Sequence, residues 1–323
     1  MSHADPFARI SETDRALLRH AELPQVVVPM KAVLATDRFS DDGWIFERKL
    51  DGIRCIATKN GRRVRLASRN DLSLNERFPE LVDAVATAGE SQLVVDGEIV
   101  AFDGARTSFE RLQQRGHKTV PVFLYVFDLL HLDGFDTTRL PLRTRRSLLR
   151  SELTLNGALR FTVHRRRDGE QLFREACQHG WEGLIAKRAD AAYVHGRSRE
   201  WLKFKCSAEQ ELVIGGYTAP RGARSDLGAL LLGHYERGRL RYAGKVGTGF
   251  TRETLRDLAS RLDPLRQGRS PFSDEVREPT ATWVQPQLVA QVAFSEWTRD
   301  GRLRHPRFLG LRDDKRADEV VRE

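Results

Sequence analysis

Cysteine, lysine and long apolar runs are all scarce in this 323-residue chain. Its three cysteines, Cys55, Cys177 and Cys206, are odd in number and show no CxxC spacing. Neither a disulfide framework nor a cysteine zinc site is expected from them. The longest uncharged apolar stretch, residues 120–127, falls far short of the ~20 residues a membrane helix needs. Residues 1–25 carry Asp5, Glu12, Asp14 and Glu22 and no apolar h-region. No signal peptide is read there, and a cytoplasmic setting is the expectation.

Charge is abundant. Lys plus Arg number 54 against 45 Asp plus Glu, a net +9 with a sequence pI near 9.8. Such an excess suits a polyanionic partner. Nine of the 54 basic residues are lysines, so arginine supplies the ordinary surface charge and each lysine is informative. With 40% hydrophobic residues the chain can build real cores, which excludes a disordered basic tail. Its length fits roughly two domains of ~150 residues.

After a polar leader over 1–25, with a short helix expected at 12–21, strand and helix signals alternate to about residue 206. Strands are expected at 44–49, 63–68, 93–102, 122–129, 183–187 and 201–204, and helices at 78–88, 143–151 and 169–179. This is an α+β body. Beyond Cys206, strand signals at 211–217, 229–235, 240–245 and 288–294 are broken by Gly-rich turns. One helix follows a Thr251 cap, with Leu255, Leu258 and Leu262 on one face. Residues 266–280 read as a loop. A small barrel of the OB-fold kind fits that pattern. The expected division is therefore a leader 1–25, a body 26–206 and a barrel 207–323.

Several lysines and acids fall where chemistry can use them. Lys49 ends a strand in Phe46-Glu47-Arg48-Lys49-Leu50-Asp51-Gly52-Ile53-Arg54, sharing a face with Glu47 before an Asp-Gly turn. A lysine there can be a nucleophile if neighbouring cations lower its pKa. Alternation places Lys203 and Lys205 on one face about 6.6 Å apart, a phosphate clamp, or else a solvated edge. Asp96, Glu98 and Glu182 sit in otherwise apolar runs, where an acid is costly unless paired or bound to a metal ion. Phe127 reads most simply as a core aromatic. The arginine tracts 139–150 and 165–167 read as solvated faces that can also meet a phosphate backbone.

Lys49-Leu50-Asp51-Gly52-Ile53-Arg54, Ser68-Arg69-Asn70, Asp96-Gly97-Glu98, Phe127-Asp128-Leu129, Glu182-Gly183-Leu184-Ile185-Ala186-Lys187, Trp201-Leu202-Lys203-Phe204-Lys205 and Arg312-Asp313-Asp314-Lys315 occur in one order along the chain. That order resembles the nucleotidyltransferase motifs of ATP-dependent DNA ligases. The segments 44–47, 244–250 and 308–312 are similar to the small bacterial ligases of the end-joining type, both stand-alone enzymes and modules of larger repair proteins. One departure is Asp71, where relatives commonly carry glycine after the Ser-Arg-Asn turn.

The resemblance implies an adenylation (nucleotidyltransferase) domain followed by an OB-fold domain, sealing nicks or broken ends in duplex DNA. It makes Lys49 the nucleophile that carries AMP. It gives Glu47 the adenine amino group, Phe127 the purine face, and Arg54, Arg69 and Glu98 the ribose or nick phosphate. Lys203 and Lys205 take the α-phosphate, Arg197 is a further nucleotide contact, and Glu182 with Glu98 holds Mg²⁺ or Mn²⁺. Arg312, Asp313 and Lys315 on the barrel orient the pyrophosphate leaving group of ATP when that domain closes. A monomer is implied, with a Ku-type end-binding protein or a repair polymerase as partner. Two other enzymes share the chemistry, an RNA ligase and an mRNA-capping guanylyltransferase. A basic DNA-binding module without activity is the non-enzymatic reading. An NAD-dependent ligase is disfavoured, since its nicotinamide-recognition domain and four-cysteine zinc site are missing.

Overall fold

A computed structural model of the chain describes residues 5–89, 91–113, 120–155, 157–206, 208–220 and 227–322. Two compact units result, Met1–Cys206 and Ser207–Glu323. The first four residues of the expected leader, and Ser207 at the expected start of the barrel, lie outside the described residues.

In the first unit the strands run β1 (Arg19–His20), β2 (Met30–Leu34), β3 (Trp44–Arg48), β4 (Ile53–Asn60), β5 (Arg63–Ser68), β6 (Leu93–Asp103), β7 (Arg106–Thr107), β8 (Val122–Leu132), β9 (Phe135–Asp136), β10 (Leu159–Phe161), β11 (His164–Arg166), β12 (Gly183–Arg188) and β13 (Gly196–Lys205). The helices are α1 (Glu12–Arg15), α2 (Pro79–Ala86), α3 (Phe109–Gln113), α4 (Leu142–Glu152) and α5 (Gly169–Gln178). One sheet has the order β1-β9-β8-β6-β4-β5, with β10 beside β8 and β7 beside β6; the other is β11-β3-β12-β13-β2.

Strand alternation sorts the side chains into three apolar layers. Ile53, Cys55 and Ala57 of β4 and Leu93, Val95 and Ile99 of β6 pack with Leu81 of α2 and Leu149 of α4 on the outer face of the first sheet. The opposite parity, Ile56, Val94 and Phe127, meets Met30 and Trp201 of the second sheet. Phe46, Leu184, Ala186 and Phe204 then cover α5 through Leu172 and Ala176. Each fully buried Leu, Ile or Phe contributes about 1.5–3 kcal/mol. The polar residues singled out in the sequence belong chiefly to the middle layer's parity, between the sheets.

Four features depart from the sequence reading. The leader is not a separate polar segment, because Phe7 is buried in the first core with Ile10, Leu17 and Leu18 packed against it. The helix expected over 12–21 stops at Arg15, where the chain turns to lay β1 against β9. Strands β2 and β4 were not expected; β4 follows the Lys49–Gly52 turn and pairs with β5 and β6. Finally, Cys177 and Cys206 form a disulfide, with S–S 2.10 Å and Cα–Cα 5.2 Å. They lie 29 residues apart in sequence, and the antiparallel return of β12 and β13 brings them together.

The second unit contains β14 (Ala208–Thr218), β15 (Leu230–Glu236), β16 (Arg239–Val246), α6 (Arg252–Leu262), β17 (Arg266–Gln267), β18 (Ala281–Val284), β19 (Val289–Phe294), β20 (Glu296–Trp297), β21 (Leu303–Arg304) and β22 (Arg307–Leu311). The long strand β14 pairs with β15, β18 and β19; Leu212, Ile214 and Leu232 face a core shared with α6, while Val213, Leu231 and Phe272 belong to a second apolar cluster. Thr251 caps α6 by accepting the Thr254 N–H at 3.1 Å, and Leu255, Leu258 and Leu262 are buried. The stretch expected as a loop at 266–280 opens with β17, paired to β18.

Candidate active site

Strand register gathers the residues that the sequence scatters. The Lys49 N–H donates to Gly183 O at 2.9 Å, and Arg48 lies opposite Leu184, so Glu182 stands beside the lysine. Lys49 Nζ and Glu182 Oε1 are 2.5 Å apart. On the next strand, Lys205 pairs with Gly183 and Lys203 with Ile185. Gly183 makes the close approach feasible: its φ is +149°, and a Cβ there would lie 1.8 Å from Phe204 O. Gly52 does the same for the turn after Lys49, where a Cβ would lie 2.2 Å from Ile99 O. Asp51 ties that turn down by accepting the Phe109 N–H at 3.1 Å. Beyond it, Arg54 sits opposite half-buried Glu98.

The electrostatics correct one premise. Burial alone would lower the pKa of Lys49, but Glu182, with Asp51 and Glu98, outweighs it and raises the value above that of an ordinary lysine. Carboxylates outweigh burial at the amine, and the free chain keeps it as an ammonium. The pKa of Lys187 is instead lowered, because burial exceeds the pull of Glu47. Arg54 is held in a fork by Asp96, Nε to Oδ1 at 2.5 Å and Nη2 to Oδ2 at 2.6 Å. Asp96 is fully buried and also accepts the Tyr193 hydroxyl at 2.6 Å.

A second cluster surrounds Phe127. Its ring meets Trp201 edge-on at 5.9 Å, with the Arg54 guanidinium 4.9 Å and Lys187 Nζ 4.0 Å from its centroid. Glu47, 3% exposed, pairs with Arg146 through Oε1 and with Lys187 through Oε2 at 2.7 Å. Sequence reasoning missed Asp96 as the anchor of Arg54, and it missed Arg146. The tract 139–150 is no uniform solvated face: Arg145 and Arg146 are buried, whereas Arg143 and Arg150 are exposed. A signal existed. Leu142, Arg145, Arg146 and Leu149 follow the i, i+3, i+4, i+7 spacing of a buried stripe, so the two arginines occupy core positions.

Two other expected residues of the first unit, Arg197 and Arg69, take no part in these contacts. Arg197 is exposed on β13, with Nη1 3.5 Å from Ala32 O. Arg69 is half-buried in the turn after β5. There Asp71 adopts φ +64° and accepts from Arg65 Nη2 at 2.8 Å, so the glycine-like turn persists without glycine. In the second unit, Arg312 is 9% exposed and donates through Nε and Nη2 to Asp314, both at 2.8 Å. Asp313, which the sequence reading grouped with Arg312 and Lys315, instead pairs with Arg261 of α6 at 2.5 Å. Lys315 lies 3.0 Å from Glu211.

Among the described residues no group of three or more His, Cys, Asp or Glu side chains is arranged to hold a metal ion. Glu182 nevertheless fits a hydrated cation. Its Oε2 is buried and has no hydrogen-bond partner among the described residues. Such an oxygen is costly to leave unmatched, and Mg²⁺ is commonly held by one or two carboxylates plus water and phosphate.

Comparison with known proteins bears on both units. Residues 24–205 match the family described as ATP dependent DNA ligase domain, and residues 223–315 match the ATP dependent DNA ligase C terminal region. Over 93% of its length the chain is 40% identical to the multifunctional non-homologous end joining protein LigD of Pseudomonas aeruginosa, of which the match covers 37%. It is 41% identical over 87% of its length to the LigD protein of Mycobacterium tuberculosis, again covering 37%. The chain thus spans less than two-fifths of these relatives. Among solved structures, mycobacterial DNA ligase D complexed with ATP and MES superposes with a TM-score of 0.68 at 36% identity, covering 92% of this chain and 98% of that one. The ligase domain of M. tuberculosis LigD gives 0.51 at 38% identity, with the same coverages. The fold is accordingly a nucleotidyltransferase domain followed by an OB-fold-like domain.

Proposed function

Because the chain belongs to the ATP-dependent DNA ligase family, we propose that it seals nicks or broken ends in duplex DNA, with Lys49 carrying AMP from ATP to the DNA. The observation that carries this reading is the convergence at Lys49. The amine is held by Glu182 Oε1 in a sheet whose next strand bears Lys203 and Lys205, and the other Glu182 oxygen is buried with no hydrogen-bond partner among the described residues.

Three in-line transfers make up the reaction. Lys49 Nζ, once deprotonated, attacks the α-phosphorus of ATP and pyrophosphate leaves. The AMP then passes from Nζ to the 5′-phosphate of the DNA. Finally the 3′-hydroxyl attacks that phosphate, a phosphodiester forms, and AMP leaves. The protein's work is positioning and neutralising charge. Lys203 and Lys205 neutralise the α-phosphate. Glu47 and Phe127 read the purine; Arg54, fixed by Asp96, serves with Glu98 and Arg69 at the ribose and nick phosphate. Arg197, Arg312 and Lys315 contact the nucleotide from outside the Lys49 cluster. Mg²⁺ or Mn²⁺ on Glu182, with Glu98, would offset phosphate charge.

End joining comes from the names of the relatives, and a Ku-type protein or a repair polymerase is the partner that reading implies. We infer a monomer that works at the nucleoid. No helix among the described residues is long and apolar enough to cross a membrane.

Incubating the purified chain with α-labelled ATP and a divalent cation tests the proposal. The expected result is label bound covalently to the protein and released by nicked DNA as the nick is sealed. Label retained from GTP alone would point to a capping guanylyltransferase. Transfer confined to nicked RNA would point to an RNA ligase, and no adduct at all to a binding module.

A further inference from the structure

Helix α4 turns two adjacent arginines into the core, and they reach different targets. Arg145 donates to both oxygens of Asp128 at 2.6 and 2.9 Å and to Ala191 O at 3.0 Å. These are contacts that tie helix to sheet. Arg146 donates to Glu47 Oε1, to Phe127 O at 3.2 Å and to Thr162 O at 2.7 Å, with His164 Nδ1 3.2 Å away. One planar guanidinium therefore touches the carboxylate of Glu47 and the backbone of Phe127 together. Lys187 completes the frame, taking the other Glu47 oxygen at 2.7 Å with its Nζ 4.0 Å from the Phe127 ring centroid.

The geometry explains why arginine stands here. A fork of fixed donors sets the plane of a carboxylate and the position of a carbonyl at once; a lysine ammonium can neutralise Glu47 but cannot orient it and Phe127 jointly. Burial makes the requirement stringent, since a carboxylate in this layer without its partner is an uncompensated buried charge. Arg146 lies in none of the motifs that mark the family in the sequence.

We propose that Arg146 is a positioning residue for base recognition: by fixing Glu47 and Phe127 relative to each other it sets the preference of the adenylation step for adenine, without touching the nucleotide itself. The proposal rests on the reading of Glu47 and Phe127 as the purine contacts.

Formation of the lysyl-AMP adduct by the full chain, followed with ATP and with GTP, tests it in Arg146→Lys, Arg146→Met, Glu47→Gln and Leu81→Ala. Arg146→Lys is the deciding variant, because it keeps the charge and loses the fork. It is expected to raise the apparent KM for ATP about tenfold and narrow the ATP-to-GTP preference by a similar factor, with little change in the rate at saturating ATP. Glu47→Gln should narrow the preference too, and combining it with Arg146→Lys should add little. Leu81→Ala, a core change in α2, should lower Tm while leaving KM and base preference as they were. If both Arg146 variants lower Tm yet keep the wild-type KM and base preference, the inference is overturned and the ligase reading stands. If Glu47→Gln leaves base preference intact, the purine assignment and this inference fall together. If the unaltered chain forms no adduct from either nucleotide, the ligase reading itself fails and takes the inference with it.

Discussion

Lys49 and Arg312 are each held by a carboxylate, and the two anchors differ in what is left over. Glu182 gives one oxygen to Lys49, and its other oxygen is buried without a hydrogen bond among the described residues. Asp314 gives both oxygens to Arg312, whose guanidinium, opposed by burial, holds the Asp314 carboxyl below its ordinary pKa. Lys315 is neutralised by Glu211 in turn. The first cluster is thus an incomplete charge set, and the second is a buried, mutually satisfied pair within its own unit. In the sequence the two motifs look equally functional. The difference teaches that a motif cation can be presented in two ways, poised beside an unmet acceptor or stored against its own acid.

The largest way to break this comparison is Lys49→Arg. Arginine keeps the charge and the partner but does not lose its proton. Adduct formation should fall by at least about 10⁴-fold, the scale of losing a nucleophile, while duplex binding persists. A gel-resolved adduct assay checks it, and residual adduct at a tenth of the normal rate would show that another residue accepts AMP.

Glu182→Gln comes next, with a loss of about 10²–10³-fold expected from removing a preorganised charge. It carries a sign that pH can read. Lys49 has a raised pKa, so in the unaltered chain the neutral amine grows about tenfold per pH unit through neutral and mildly alkaline pH. The single-turnover rate should climb accordingly. Without the Glu182 carboxylate, burial is the larger remaining influence on Lys49, and the rise should level off at lower pH. A profile that does not move would detach Glu182 from the state of the amine.

Arg312→Met should be smaller and selective. The proposed role of Arg312 lies with ATP, so the first step should slow about 10²-fold while sealing of a DNA strand already carrying AMP proceeds normally. Equal slowing of both would make Arg312 structural, as its tight pair with Asp314 also allows.

The smallest effect is at Asp71. Glycine would relieve the positive φ but lose the bond from Arg65, two contributions of about 1 kcal/mol or less that oppose each other. A Tm within a few degrees of the original is expected for Asp71→Gly; a collapse would mean that the Arg65 bond organises the turn that contains Arg69.

The sequence shows much of the placement of these groups on their elements, though not the contrast between them. Period-two alternation placed Glu47 and Lys49 on one strand face and Lys203 with Lys205 on another, and the Thr251 cap located α6. What escaped was decided by pairing in space. Strand β4 hides behind a turn signal and carries Arg54 and Lys59, whose charges disguise a strand that Ile53, Cys55 and Ala57 bury. Arg145 and Arg146 read as surface because arginine usually is, although their spacing followed the buried stripe. The pKa of Lys49 could not be read at all, since its sign depends on a carboxylate 133 positions away that only the β3–β12 register brings alongside.

The disulfide has a topological consequence for the same residues. Joining Cys177 to Cys206 closes a ring of chain through which Glu182, Lys187, Arg197, Lys203 and Lys205 all pass. A tryptic cut at exposed Arg197 or Arg199 would open the ring without parting the chain, and the two pieces would separate only on reduction. Unfolding, too, cannot disperse these groups beyond the span of a closed loop. That part of the charged machinery is closed covalently at both ends, whereas Lys49 and Glu47 are held to it by strand pairing and by their ion pairs with Glu182 and Lys187.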